Sequence, residues 1–403
     1  MRHQPQLAAV KPFRALHFNP RRVRFEDVVA PPFDVITPEQ QSRLEARSAY
    51  NVVRVILPRE GEEPAAARML CDWQRDGVLA REQTACFYWV EQDFVAPDTT
   101  RQTRGGLIGL VRLEPYARRV VLPHEQTRDA PVASRMALLA ATRTHLSAVF
   151  ALYHDPSQTA ERALRAHRDA DVSIDVTDED GTRHRLWRVT SGHETVAAVV
   201  AQSRLLIADG HHRYKSALRY AEQHPHDTAA GWVLMYLTNA DADGVAIYPT
   251  HRVVRGVADR LAAALTNRGL RVVDAGDDPA GMLAACGRNA GFVLLEHDAP
   301  ARLVTLDQPG LDAALLQDTL LSPILGLDAG VVAQTDRISY VHQEAQARSA
   351  VRAGTAAMLV RPPSIGDVED AALEGRMMPP KTTFFYPKTV DGFVFYEFDE
   401  CRD

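Results

Sequence analysis

The sequence predicts an α/β fold of the mixed, α+β kind, and three observations predict it. Apolar runs of strand length, such as Trp232–Leu237 and Leu205–Ala208, are interspersed with segments of helical spacing. Residues 84–123 carry three β-rich runs in succession, separated by polar turns. Near the middle, a buried-type strand runs through a glycine turn straight into Tyr214, Ala217, Leu218 and Ala221, the i, i+3, i+4, i+7 signature of a helix. With 403 residues, 46% of them hydrophobic, the chain can bury a large core, and its length suits two or three domains. Three regions are expected: a mixed α/β region over 12–120, a core over 121–255, and a further α/β region over 256–398.

Taken in order, Val28–Pro32 reads as a strand ended by two prolines, which fix φ and remove donors. Thr37 followed by Pro38 reads as a helix start, the threonine as N-cap and the proline in the first turn. Asn51–Leu57 (NVVRVIL) has strand composition, and residues 64–77 form a helix stopped at Gly77. Ala85–Val90, Gly106–Leu113 and Arg119–Leu122 are strands. Ser134–Ala151 reads as a helix with Ser134 as cap. Asp178–Gly181 marks a hairpin turn, and Glu194–Gln202 a helix. Pro225 ends the helix that follows the central strand. Beyond it, Gly256–Gly269 and Leu311–Leu321 read as helices, Phe292–Leu295 and Met358–Val360 as strands. Thr382–Tyr386 and Gly392–Phe398 read as paired strands.

Composition narrows the function classes. A net charge of −6 argues against a nucleic-acid-coating protein, and no apolar run approaches the ~18 residues of a membrane span. MRHQPQLAAVKPF has no apolar signal core. The four cysteines, Cys71, Cys86, Cys286 and Cys401, form no CxxC pair, which suits reduced thiols better than a disulfide framework or a zinc cluster. A cytoplasmic protein is expected, acting on small molecules rather than on nucleic acid or membrane; the sequence leaves its oligomeric state open.

The strongest chemical signal is Ala208-Asp209-Gly210-His211-His212-Arg213-Tyr214. A helix start offers unpaired N–H groups and the positive end of the helix dipole, so it attracts anions. Gly210 lets a ligand approach the backbone, Arg213 is able to fork onto two phosphate oxygens, and Asp209 is a candidate metal ligand. The same pattern fits a polar helix cap with a structural histidine pair. His124-Glu125, at a strand end, is a candidate acid–base pair, although an exposed loop carboxylate fits as well. Thr250-His251-Arg252 follows a further strand-like run, and Lys381, after Met378-Pro379-Pro380, could reach a phosphate as a point charge. They are candidate substrate contacts whose plainer reading is a solvated turn. No GxxxxGK[ST], GxGxxG, HExxH or GxSxG motif occurs, so any nucleotide site uses another cradle.

ADGHHRY resembles the phosphate-binding loop of the ParB/sulfiredoxin-like superfamily, and the layout is similar to a large prokaryotic family within it. Pro31–Ile36, Tyr50–Arg54, Leu122–Glu125, Pro249–Arg252 and Met378–Lys381 match successive blocks of that family over roughly residues 12–398. The resemblance implies a ParB/sulfiredoxin-like nucleotide-binding core related to free-serine kinases. On it, Gly210, His211, His212 and Arg213 bind the phosphates of ATP or ADP, and Asp209 aids Mg²⁺. Glu125 is the general base, and His124, Asp209 and His212 complete the catalytic set. It implies a kinase for free L-serine or a similar hydroxy amino acid. The alternative is a nucleotide hydrolase or nucleotide-gated regulator with no phosphoryl acceptor. Sulfiredoxin chemistry would need a cysteine in the loop, and none stands there.

Overall fold

A computed structural model describes residues 7–96, 98–257, 261–328, 331, 335–379 and 381–399. It has mixed α/β architecture with two large sheets. The chain divides into two compact units, one from Met1–Pro123, Thr127–Val245 and Pro387–Asp403, the other from His124–Gln126 and Ala246–Tyr386. Strands from both sides of residue 120 hydrogen-bond into one sheet.

That sheet, in the first unit, contains β1 (Val10–Lys11), β4 (Phe87–Val95), β5 (Arg101–Arg112), β6 (Val121–Leu122), β8 (Val149–Tyr153), β9 (Ile174–Thr177), β10 (Arg183–Val189), β11 (Leu205–Asp209) and β12 (Trp232–Asn239). Their order is β6-β11-β8-β12-β5-β4-β10-β9, with β1 on the end of β5. The pairs β6–β11 and β8–β12 are parallel and the others antiparallel. Two small ribbons join the same unit: β2 (Leu16–Phe18) with β3 (Leu79–Arg81), and β7 (Thr144–His145) with Tyr396–Glu397. Leu107, Val149, Ala151, Ile207, Met235 and Leu237 pack with Tyr214, Ala217 and Tyr220 of the His211–Gln223 helix and with Val196 and Val200 of the His193–Val200 helix. A second cluster joins Phe18, Leu70, Trp73 and Phe395.

The second unit is a six-stranded antiparallel sheet, β13 (His251–Arg255), β14 (Arg271–Asp274), β15 (Asn289–Leu295), β16 (Arg302–Pro309), β17 (Ile338–Val341) and β18 (Thr355–Leu359), in the order β14-β16-β15-β18-β13-β17. Alternate residues serve opposite faces, as strand geometry requires. Val254, Phe292, Leu294, Ala356 and Met358 enter one core, Val253, Val293, Leu295, Ala357 and Leu359 another.

Many sequence expectations hold. Thr37 caps the Pro38–Arg47 helix by accepting from Gln40 N–H. The Glu63–Arg75 helix stops before Gly77, at φ 70°. Asp178–Gly181 turns the hairpin between β9 and β10. Others are corrected. Asn51–Leu57 is a helical turn, Val53–Ile56, because the Asn51 side chain accepts from Val53 N–H and gives its amide to Asp27 and Val29 carbonyls. Phe25–Val28 is likewise helical, and only Ala30 of the expected strand makes a bridge, to Asp391. The helix expected over 134–151 runs over Asp129–Thr142 and ends on Arg143, at φ 48°. The chain then enters β7 and β8. Of the Gly256–Gly269 helix, Leu261–Thr266 is helical, and residues 258–260 lie outside the described set. The C-terminal runs do not pair with each other. Phe385 bridges Ile247, and Tyr396–Glu397 pairs with β7.

Cys86 and Cys286 are free, whereas Cys71 is disulfide-bonded. The expectation of four reduced thiols is thereby corrected at Cys71. Pro380 and Cys401 lie outside the described residues. No helix among the described residues is long and apolar enough to cross a membrane.

Candidate functional site

The glycine loop forms where β11 meets the His211–Gln223 helix. A register shift against β8 falls between Ile207 and Asp209, at the end of the strand. Gly210 then takes φ 92°, ψ 28° as N-cap. A Cβ there would stand 2.9 Å from Arg213 Nε, so both backbone angle and space call for glycine. Tyr214 N–H closes the first helical turn onto Gly210 O at 3.0 Å. Having no side chain, Gly210 supplies no cap of its own.

Asp209 is the electrostatic centre of the loop. Arg213 Nη2 donates to one carboxylate oxygen and Lys388 Nζ to the other, each at 2.6 Å. Burial alone would push this carboxyl up, but the charges of Lys388, Arg213 and His211 outweigh it and hold the pKa well below the usual range. Arg213, 8% exposed, gives its other terminal nitrogen to Ala148 O. Among the described residues its Nε has no partner. Both terminal nitrogens of Arg213 thus donate inside the protein, and the residue clamps Asp209. Asp209 does not fit a Mg²⁺ ligand role, since each of its oxygens already accepts from a cation. Among the described residues no three His, Cys, Asp or Glu side chains are placed to hold a metal. His211 is buried and His212 half-buried, with His212 Nε2 accepting from Arg128 N–H at 3.2 Å.

Lys388 and Asp391 complete the cluster, and sequence reasoning missed both. Asp391 is 3% exposed, accepts from Ser147 Oγ at 2.7 Å, and pairs through its backbone with Ala30. Burial drives its pKa up to about 7; Arg213 and Ser147 oppose the shift, and Asp34 and Asp209 add to it. Arg135 falls to about 10, chiefly through burial and secondarily through the charge of Arg213, and stays protonated at neutral pH. The Ala30–Asp34 stretch, the glycine loop and residues 388–391 thus belong to one charge network.

The other candidates lie in the second unit and meet there. Met378 N–H donates to His124 O at 2.8 Å, Glu125 bridges Met378, and His124 Nε2 lies 2.9 Å from Thr383 Oγ1. Thr250, His251 and Arg252 are buried, not solvated. Arg252 donates to Thr250 O and, at 3.1 Å, to Lys381 O, and its guanidinium lies 5.7 Å from the Tyr340 ring centre. Burial lowers Arg252 to about 10. His251 Nδ1 accepts from Val360 N–H at 3.2 Å, and burial, with the charges of Arg252 and His342, lowers it to about 4. Burial also raises Tyr340, to which the charge of Glu125 contributes. Lys381 is exposed, with φ 59°. Three blocks far apart in sequence, 124–125, 250–252 and 378–383, are joined in one place, while residues 209–213 belong to the first unit.

Fold and loop define the class: a mixed α/β protein built around a strand–glycine–helix loop whose aspartate is clamped by two cations. The chain matches, over residues 10–328, the family described as "Protein of unknown function (DUF1015)", and belongs to it. No curated protein matches the chain. Among solved structures, a free serine kinase in complex with AMP is similar, at 15% identity over 70% of this chain and 90% of that one, TM-score 0.39. A mutant free serine kinase in complex with ADP gives 16% identity over 70% and 91%, TM-score 0.40. A conserved hypothetical protein from Pyrococcus furiosus gives 14% identity over 71% and 93%, TM-score 0.39.

Proposed function

We propose that this protein is a nucleotide-dependent phosphotransferase, with ATP or ADP as donor and the hydroxyl of a small metabolite, free L-serine or a similar hydroxy amino acid, as acceptor. The observation that carries the reading is the helix start after Gly210. The turn makes Gly210 the N-cap, and the first amides of a 13-residue helix stand at its positive, N-terminal end. Lys388, whose side chain is 24% exposed, adds a point charge beside it. Arg213 and Asp209 hold the loop in shape. Phosphoryl transfer depends mostly on such positioning and charge stabilisation. The role of general base falls to Glu125 on the resemblance alone.

The test is incubation with ATP or ADP, MgCl₂ and a pool of hydroxy amino acids, read by mass for phosphate addition. A phosphorylated amino acid is expected. Nucleotide turnover with no phosphorylated acceptor would favour a hydrolase or a nucleotide-gated regulator. Absence of nucleotide binding by calorimetry removes both readings. Glu125→Gln is expected to slow phosphorylation about 10²–10⁴-fold while nucleotide affinity stays the same. Near-normal turnover in that variant rules Glu125 out as the base.

A further inference from the structure

The first unit contains a cleft of about 330 Å³ whose lining, Lys388 apart, the phosphotransfer reading does not use. Its apolar side is Pro31, Pro32, Leu44 and Val390, and its rim is acidic: Glu26, Asp27, Asp178, Glu179 and Asp180, against Arg47 and Lys388. We propose that this cleft binds a small organic cation, a primary-ammonium compound with a short apolar body.

Most of the rim charges are already matched. Glu179 pairs with Arg47 and accepts from Gln40 Nε2 at 3.1 Å. Asp178 takes the backbone N–H groups of Asp180 and Thr182 and the ring of His184 at 2.8 Å. Lys388 gives its ammonium to Asp209. Glu26 lies 3.7 Å from Arg24. Among the described residues, the Asp27 and Asp180 carboxylates meet no ion-pair or hydrogen-bond partner. The balance left over is negative.

A second, independent observation comes from the β9–β10 hairpin. Thr182 lines the cleft and is only 1% exposed, yet its hydroxyl has no partner among the described residues. A buried hydroxyl without a partner costs free energy that a ligand donor would return. An ammonium brings three donors, enough to serve a hydroxyl and a carboxylate together. The acids ring the cleft without converging: no three His, Cys, Asp or Glu side chains among the described residues could share a metal ion. An ammonium on a carbon body suits that spread better than a bare divalent cation. The volume lies at the small end of metabolite pockets. Burial, with the charges of Asp178 and Glu179, raises the Asp180 carboxyl, the sense in which a nearby positive charge would be welcomed.

The experiment is calorimetric titration of the full chain with ethanolamine and putrescine, each against glycerate, which keeps the hydroxyls and lacks the amine. At least one amine is expected to bind, and glycerate not to. Asp27→Asn/Asp180→Asn, which alters one half-buried and one exposed acid, is expected to weaken amine binding tenfold or more. Amine affinity unchanged in that variant, glycerate binding as tightly as the amines, or no amine binding at millimolar concentration each overturns the proposal. ADP affinity is measured on the same samples. Amine binding without ADP binding upholds the cleft and removes the phosphotransfer reading. ADP binding without amine binding does the reverse.

Discussion

Gly210 and Asp391 concentrate the physics of the loop at the residue scale. Gly210→Ala places a Cβ 2.9 Å from Arg213 Nε on a backbone at φ 92°. It is expected to cost about 1–3 kcal/mol of stability, read by urea denaturation, and an unchanged midpoint would show that the turn relaxes freely. Asp391 sets a pH dependence. Below about pH 4 its carboxyl is neutral in both folded and unfolded chains. As pH climbs, the unfolded chain ionises first, while the folded one holds its proton until about pH 7. This group therefore subtracts stability progressively between about pH 4 and 7, by up to about 4 kcal/mol. Asp391→Asn is expected to gain stability relative to the parent across that window, and parallel pH–stability curves would refute the raised pKa. Asp209 runs the other way. Its lowered pKa stabilises the fold above the ordinary carboxylate range, and that contribution is lost only in strong acid. Neither Lys388 nor Asp391 was legible in the sequence, because each meets its partners across more than a hundred residues, through strand pairing that no local pattern encodes. The loop itself was legible, since glycine, helix period and strand run are contiguous. The pairing of Arg213 with Asp209 was not: a guanidinium looks the same in sequence whether it faces a ligand or an internal carboxylate.

Among the elements, those with chemical punctuation were readable and those judged by composition alone were not. Thr37-Pro38 and Asp178–Gly181 carry their own capping and turn chemistry and fall where expected. NVVRVIL has β-branched composition but folds as a helical turn, since one buried asparagine satisfies three backbone groups there. Residues 144–151 lost their expected helix because Arg143 adopts the left-handed region and hands the chain to β7 and β8. The Ile365–Leu373 helix has a full capping box, Ser364 with Asp367. Ser364→Ala is expected to cost about 1 kcal/mol in urea unfolding; a change below a few tenths would mean that packing alone holds that helix start.

The described residues form two large sheets with separate cores, and the unit boundaries follow hydrogen bonding, not sequence order. The long alternating strands made both sheets foreseeable as strands. Their assembly was not, because residues 124–126 and 387–399 belong to a different unit from the residues that precede them in sequence. Phe292, fully buried in the second sheet, offers a test of the division. Phe292→Ala is expected to cost about 3–5 kcal/mol, with amide exchange rising in β13–β18 and staying slow in β4–β12. Equal loss of protection in both sheets would show that they unfold as one body.

The return of residues 387–399 to the first unit also dictates an order of events during synthesis. A nascent chain still short of Lys388 already holds β11, Gly210 and the paired Asp209 and Arg213, but it lacks the ammonium that neutralises the second carboxylate oxygen and the Asp391 backbone that pairs with Ala30. The glycine loop is translated well before Lys388 and reaches its final electrostatic state only once that residue has been added, so a polypeptide released before it carries the loop motif without its second counter-ion.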